Sequence, residues 1–245
     1  MLSDQIMSSS RFANRPLYLQ LRDALAERIA GGQWKPGSAI PNESDLAREF
    51  GVSAGTMRKA LDMMEAERLL TRRQGRGTFV NDQTADEFAA RFSNLRAADG
   101  SRICGEVKSA DIVEGRANEL ECERLRLRAD DIVYRVHRIR HHKGQVYLVE
   151  DASLPAALFP ALAEKGGIAS RIIVLAQEYG LLLGKAVERV SIGRASPAVA
   201  QTLGVATASP IMVLDRVVMA LDGRPIEWRV GHCHLADKYY MAEMV

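Results

Sequence analysis

Apolar residues in the first third of the chain recur at helical intervals. Leu17, Leu21, Leu25 and Ile29 follow Pro16, a residue tolerated at a helix start, until Gly31 and Gly32 break the pattern. Beyond a turn at Lys35, Pro36 and Gly37, Asn42 can cap a second helix with Leu46, Ala47 and Phe50 on its apolar side and Gly51 as its stop. Ser53 caps a third helix, from Ala54 to about Arg68, which turns Met57, Ala60, Leu61 and Met64 inward and Gly55, Arg58, Lys59 and Asp62 outward. Leu69 to Val80 then reads as two short strands about a turn containing Gly75 and Gly77.

After a polar stretch the period shortens to two. Ile132, Tyr134, Val136, Arg138 and Arg140 share one face of a strand, and Gln145 to Asp151 forms the next. Ile211 to Leu221 and Arg224 to His234 make a second hairpin through Asp222-Gly223. Two helices are expected between these hairpins, Ile168 to Tyr179 closed by Gly180 and one from Ser196-Pro197 to Gly204. The fold class predicted is α+β. A flexible tail (1–15) precedes a winged helix-turn-helix (16–81), a linker (82–88) and a mixed, mainly antiparallel β-sheet domain with helices (89–245).

Composition narrows the function. No apolar run reaches transmembrane length, and Met1 to Phe12 lacks a signal-peptide pattern, so no membrane partner and a cytoplasmic location are expected. Cys104, Cys122 and Cys233 form no CxxC pair, and their odd number fits a reducing compartment. Up to Asn81 there are 12 Lys/Arg against 9 Asp/Glu; the remainder of the 33 and 31 leaves 21 against 22. Positive charge thus gathers on the winged module, above all in Arg68, Arg72, Arg73 and Arg76. Such an edge suits double-stranded DNA. A helix-turn-helix lays its second helix in the major groove, which makes Ser53, Ala54, Gly55, Thr56, Arg58 and Lys59 the groove-facing candidates. Arg76 at the wing tip suits a minor groove, and Arg72 and Arg73 suit phosphates.

In the second domain Arg138 and Arg140 stand side by side, as in an anion pocket or on a charged sheet face. A three-residue loop, His142 to Gly144, sets Glu150 beside Arg138; a two-residue loop turns it to the other face. His232-Cys233-His234 offers two metal ligands without a third, so no metal and no cofactor are predicted.

The run from Ile40-Pro41-Asn42-Glu43-Ser44 through Gly51-Val52-Ser53, Thr56-Met57-Arg58-Lys59-Ala60-Leu61 and Gln74-Gly75-Arg76-Gly77-Thr78-Phe79-Val80 resembles the DNA-binding domain of GntR-type regulators. The resemblance implies DNA contacts by Ser53, Thr56, Arg58, Gln74, Gly75, Arg76, Gly77 and Thr78. Three departures stand out: Ser44 and Ala54 replace arginines usual in the family, and Arg68 replaces a glycine. The remainder resembles the UTRA domain of histidine-utilisation repressor-like regulators, whose fold is similar to that of chorismate lyase. It does so through Arg138-Ile139-Arg140, Gly144, Glu150, Leu154-Pro155, Tyr179-Gly180, Asp215-Arg216, Asp222-Gly223-Arg224-Pro225-Ile226-Glu227 and Asp237-Lys238-Tyr239. That likeness implies an effector pocket containing Arg138, Arg140, Glu150, Glu227, Tyr239 and Ser93.

Paired arginines suit a small anionic effector such as a phosphorylated sugar or a carboxylate. The function expected is a sequence-specific transcription regulator, not an enzyme, acting as a homodimer on operator DNA, with repression relieved by ligand. Two other readings remain at this point: a non-sensing DNA-binding protein with a structural dimer domain, and lyase-like activity in the second domain.

Overall fold

The structure, a computed structural model, describes residues 15–82, 92–103, 105–165 and 171–242. Most of the tail and linker expected from sequence, Cys104 and the start of the helix expected at Ile168 lie outside the described residues. The chain divides into two compact units, Met1–Ala85 and Asp86–Val245.

The N-terminal unit contains helices α1 (Leu17–Ala30), α2 (Glu43–Phe50) and α3 (Ala54–Ala66), then strands β1 (Leu70–Arg73) and β2 (Gly77–Val80). Pro16 is the residue before the first helical turn rather than within it. Asn42 caps α2 through its side chain, which accepts from the Asp45 amide, and Gly51 ends the helix in the left-handed conformation. Ser53 restarts the chain as the cap of α3, its Oγ accepting from Thr56 N at 3.2 Å. Leu25, Leu46, Met57 and Met64 are fully buried where the three helices meet, each worth about 1.5–3 kcal/mol relative to exposure. The hairpin pairs Leu70 with Val80 and Arg73 with Gly77, and Ala39 adds a bridge to Phe79.

In the C-terminal unit, β4 (Glu106–Arg116), β5 (Ile132–His142), β6 (Gln145–Pro155), β7 (Leu183–Arg194), β8 (Pro210–Ala220) and β9 (Pro225–Cys233) form a sheet of order β4-β5-β6-β9-β8-β7. All its pairings are antiparallel. A two-stranded ladder joins β3 (Leu95–Arg96) to β10 (Tyr239–Tyr240). On one sheet face Tyr134, Val136, Ala152, Leu154 and Val218 pack with Phe159, Leu162 and the inner side of α5 (Ile172–Glu178). The opposite face carries α4 (Glu119–Leu125), whose Leu125 meets Val133, and α6 (Pro197–Leu203), whose Ala200 and Leu203 meet Val149 and Ile211. Asn118 and Glu121 form a capping box at the start of α4.

The turn between β5 and β6 has two residues, Lys143 and Gly144, both at positive φ. That length alone sends Glu150 to the wrong face, yet Arg138 and Glu150 are direct cross-strand partners. A bulge between Arg140 and His141 explains the difference: Arg140 pairs with Leu148 and His141 with Val146, so Tyr147 is the extra residue that restores the register.

Candidate functional site

In the N-terminal unit, Ser53, Ala54, Gly55, Arg58 and Lys59 are exposed at the start of α3, with Thr56 half-buried beside them. The capping oxygen of Ser53 also meets Thr56 Oγ1 at 2.8 Å, which fixes both hydroxyls on the first turn. A Cβ added at Gly55 would find only Ser53 Oγ, at 3.9 Å, so nothing within the protein requires glycine there; bareness leaves room for a close-fitting surface. Arg58 reaches back to Glu43 at the start of α2 through a two-pronged pair at 2.7 and 3.1 Å. That hydrogen bond and charge raise the guanidinium's already high pKa.

The wing is tied to the same surface. Arg72 pairs with Asp62 at 2.5 Å and Glu65 at 2.9 Å, both on α3, and Arg73 stacks on Phe79 at 4.6 Å. Lys59 turns away to the ring of Tyr18 on α1, at 3.9 Å. Gln74, Gly75 and Arg76 form the exposed tip, with Gly75 at φ 68° and Gly77 at φ 106°, while Thr78 is half-buried. Helix start and wing tip therefore present exposed donors and guanidiniums on pre-set backbone, an arrangement able to bind phosphates and base edges.

The C-terminal unit holds a cavity of about 70 Å³, room for several water-sized groups at roughly 10–15 Å³ each. Leu95, Ile103, Leu148, Ile172 and Leu214 supply its apolar wall; Ser93, Asn94, Arg140, Arg171, Arg216, Arg229 and Tyr240 supply polar groups. The period-two alternation of the sheet places Arg138 and Arg140 on β5, Glu150 on β6, Glu227 and Arg229 on β9, and Arg216 on β8 on one face. Gly231 lies opposite both Glu150 and Leu214; a Cβ there would come within 2.9 Å of Leu148 and push that liner toward the cavity.

Glu150 organises the charges. Its Oε1 accepts from Arg140 at 2.8 Å and lies 2.8 Å from Arg138 Nε in an ion pair, and its Oε2 accepts from Arg229 at 2.7 Å. Burial alone would raise its pKa, but the three guanidiniums outweigh that cost and hold the carboxyl well below the usual range. Arg138 also reaches Glu227 at 2.6 Å. Farther along, Arg216 pairs with Glu188 of β7 at 2.6 Å, and Tyr240 donates to the same carboxylate at 2.8 Å while accepting from Asn94 at 2.8 Å. Burial and the neighbouring charge of Arg229 bring the Arg216 guanidinium down to about 10. Burial pushes the Tyr147 phenol up to about 12.

Of the six effector residues read from sequence, Ser93 and Arg140 line the cavity. Arg138, Glu150 and Glu227 are fully buried and do not line it; Glu150 holds the liners Arg140 and Arg229, and Arg138 joins Glu150 to Glu227. Tyr239 does not line the cavity: it is 40% exposed and pairs with Arg96, while its neighbour Tyr240 faces inward, because adjacent strand residues point to opposite sides. Sequence reasoning missed Asn94, Arg216, Arg229 and Tyr240. The signal for Arg229 was present, since it sits two residues after Glu227 and must share its face.

Comparison with known proteins agrees with both halves. The family model for bacterial regulatory proteins of the GntR family matches residues 17–80, and that for the UTRA domain matches residues 106–240. Regulator Rv0792c of Mycobacterium tuberculosis is 30% identical over 231 residues, 91% of this chain and 84% of that protein. The mannosyl-D-glycerate transport/metabolism system repressor MngR of Escherichia coli is 27% identical over 218 residues, 88% of this chain and 90% of the relative. Among solved structures, PhnF from Mycobacterium smegmatis shares the fold with a TM-score of 0.53 at 23% identity, covering 91% of this chain and 98% of its own. The chain belongs to the GntR family, in the group that carries a UTRA domain. It is a DNA-binding transcription regulator, not an enzyme. Among the described residues no helix is long and apolar enough to cross a membrane, and no three His, Cys, Asp or Glu side chains are grouped to hold a metal.

Proposed function

We propose that the protein is a repressor whose operator affinity falls when a small anion fills the C-terminal cavity. The observation that carries this reading is the set of arginines at the cavity wall, buried Arg140 and Arg216 and half-buried Arg229, in a space too small for a macromolecule and open to a metabolite. Repression as the sign follows MngR and the repressor NagR of Bacillus subtilis, 24% identical over 231 residues. The N-terminal unit supplies operator contacts from Ser53, Thr56, Arg58 and the wing between Arg72 and Thr78.

The working form proposed is a homodimer on a two-fold operator, since one recognition helix reads few base pairs. The edge strand β7 supports assembly through the C-terminal unit: Val187, Val190 and Ile192 are 50%, 42% and 85% exposed on a strand with one open side. Residues 82–88 are the proposed coupling segment.

Capturing genomic fragments with the purified full chain at low salt, then eluting with a panel of anionic metabolites, tests this reading. Specific fragments should be retained and then released by one of the compounds, and Arg140→Ala should no longer respond to that compound. Retention of no fragment ends the regulator reading; a normal response by Arg140→Ala places the effector outside the cavity.

A further inference from the structure

The positive charge around the cavity is divided into two poles, and Glu150 is the divider. On its Oε1 side stand Arg138 and Arg140; on its Oε2 side stands Arg229. Arg229 is the direct cross-strand partner of Arg216, and like charges in that position repel. Both are largely withdrawn from water: Arg216 is 6% exposed and the Arg229 side chain 12%. Among the described residues these ion pairs set Arg138, Arg140, Arg216 and Arg229 against Glu150, Glu188 and Glu227, and Arg140, Arg216 and Arg229 all reach the cavity wall.

Hydrogen bonding repeats the imbalance. Nε of Arg229 and both Nε and Nη1 of Arg138 are buried without a hydrogen-bond acceptor, an expensive condition for charged donors. The two poles also have different escorts. Arg140 is tied to Glu150, whereas Arg216 stands beside Tyr240 and, through Glu188, is tied into the chain of hydrogen bonds that ends at Asn94. An anion seated at one pole leaves the facing pair at the other unrelieved.

Resting on the reading of this cavity as the effector site, we propose that Arg216 and Arg229 form a second anion subsite, so that the effector carries two separate anionic groups. One group binds at the Arg140 pole and the other at the Arg216–Arg229 pole, with a short neutral span between them. The small cavity limits that span to a few atoms. Affinity comes from engaging both ends at once, and a compound with one anionic end forfeits the contribution of the second pole.

Three probes on one carbon skeleton decide the matter: 3-phosphoglycerate, with two anionic ends, and glycerol 3-phosphate and glycerate, with one each. Binding to the full chain is measured by titration calorimetry at fixed pH and ionic strength. The two-ended probe should bind at least about tenfold more tightly than either single-ended one. Arg216→Met and Arg229→Met should each erase that advantage, and Arg229→Lys, which keeps the charge without the fork, should restore part of it. Unfolding temperatures of the unliganded variants establish that each is folded under the conditions of the titration. Arg216→Met also strips Glu188 of its ion-pair partner and Arg229→Met removes one of the three on Glu150, so a fall in temperature is expected, and binding is compared where every variant is folded.

Equal binding of all three probes overturns the proposal, as does an undiminished advantage in both Met variants. Failure of every probe to bind at about 10 mM overturns it too, while leaving the cavity available to an effector of different charge. Binding that survives Arg140→Ala unchanged moves the ligand out of the cavity and removes the underlying effector-site reading with it.

Discussion

Arg58, at the start of the recognition helix, is 65% exposed in its pair with Glu43, while Arg138 is 1% exposed in its pairs with Glu150 and Glu227. The same two functional groups meet at similar distances, but the surroundings reverse their meaning. In the exposed pair water replaces a lost partner at little cost, and salt screens the attraction. In the proposed DNA contact Arg58 exchanges Glu43 for phosphate or base, and Arg72 leaves Asp62 and Glu65 in the same way. In the buried network no water replaces a lost partner, so breaking a pair is costly. The first set is a group of contacts held ready; the second is a frame that fixes where Arg140, Arg216 and Arg229 stand.

The largest expected effect comes from breaking the frame. Glu150→Gln leaves three guanidiniums facing a neutral amide and should lower the stability of the C-terminal unit by about 3–5 kcal/mol, measured by denaturant unfolding of the full chain. The pH dependence has a definite sign. Glu150 has a native pKa below that of an unfolded carboxylate, so it stabilises the folded state fully above about pH 4.3. That contribution should fade as acid carries the pH down toward the native value, and the Gln variant should lose this part of the acid sensitivity. A Gln variant as stable as the parent at neutral pH would show that the arginines find other partners.

Breaking the exposed pair should act on binding instead. Arg58→Ala should weaken operator binding about tenfold to a hundredfold, read by gel shift. Glu43→Gln should do the opposite on non-specific DNA, strengthening it about two- to fivefold because a carboxylate no longer competes with phosphate. The double variant should bind as Arg58→Ala alone does. An effect of Glu43→Gln that persists in the absence of Arg58 would mean that Glu43 acts on DNA directly rather than through the arginine.

The contrast also explains what could be read in the sequence. Exposed functional features sit at local signals: Asn42 and Ser53 cap, Gly51 stops, and Gly75 and Gly77 shape the wing, each decided by residues within a few positions. Ser196 and Gly204 mark α6 equally well. The cavity depends instead on register over long distances. The pairing of Arg138 with Glu150 hinges on a bulge at Tyr147 that no local pattern announces, and the facing of Arg216 and Arg229 follows only once β8 and β9 are aligned. Long strands β4 and β7, neither anticipated, carry charged residues through Lys185, Glu188 and Arg189 or lie at the sheet edge, so their apolar alternation is weak. Tyr239 and Tyr240 are adjacent, and one residue of register decides which faces inward.

The smallest effect expected tests the local side of this contrast. Arg68 follows α3 at φ 59°, a left-handed conformation that costs a residue with a Cβ about 1–2 kcal/mol and glycine almost nothing. It is held there from both sides: its amide donates to Glu65 O at 2.9 Å and its carbonyl accepts from Asn81 Nδ2 at 2.9 Å. The conformation is thus imposed by the turn from helix to wing, not chosen by the arginine. Arg68→Gly should relieve the strain and, after the greater chain entropy of unfolded glycine is subtracted, stabilise the N-terminal unit by about 0.5–1 kcal/mol. The charge change separates two reasons for having arginine at this position. If Arg68 contributes to DNA binding, Arg68→Gly should gain thermal stability while lowering the salt dependence of binding by about one phosphate contact. A gain in stability with an unchanged salt slope would mean that the strain is carried for no benefit to DNA binding, and a loss of stability would show that the side chain contributes more to the turn than its backbone costs.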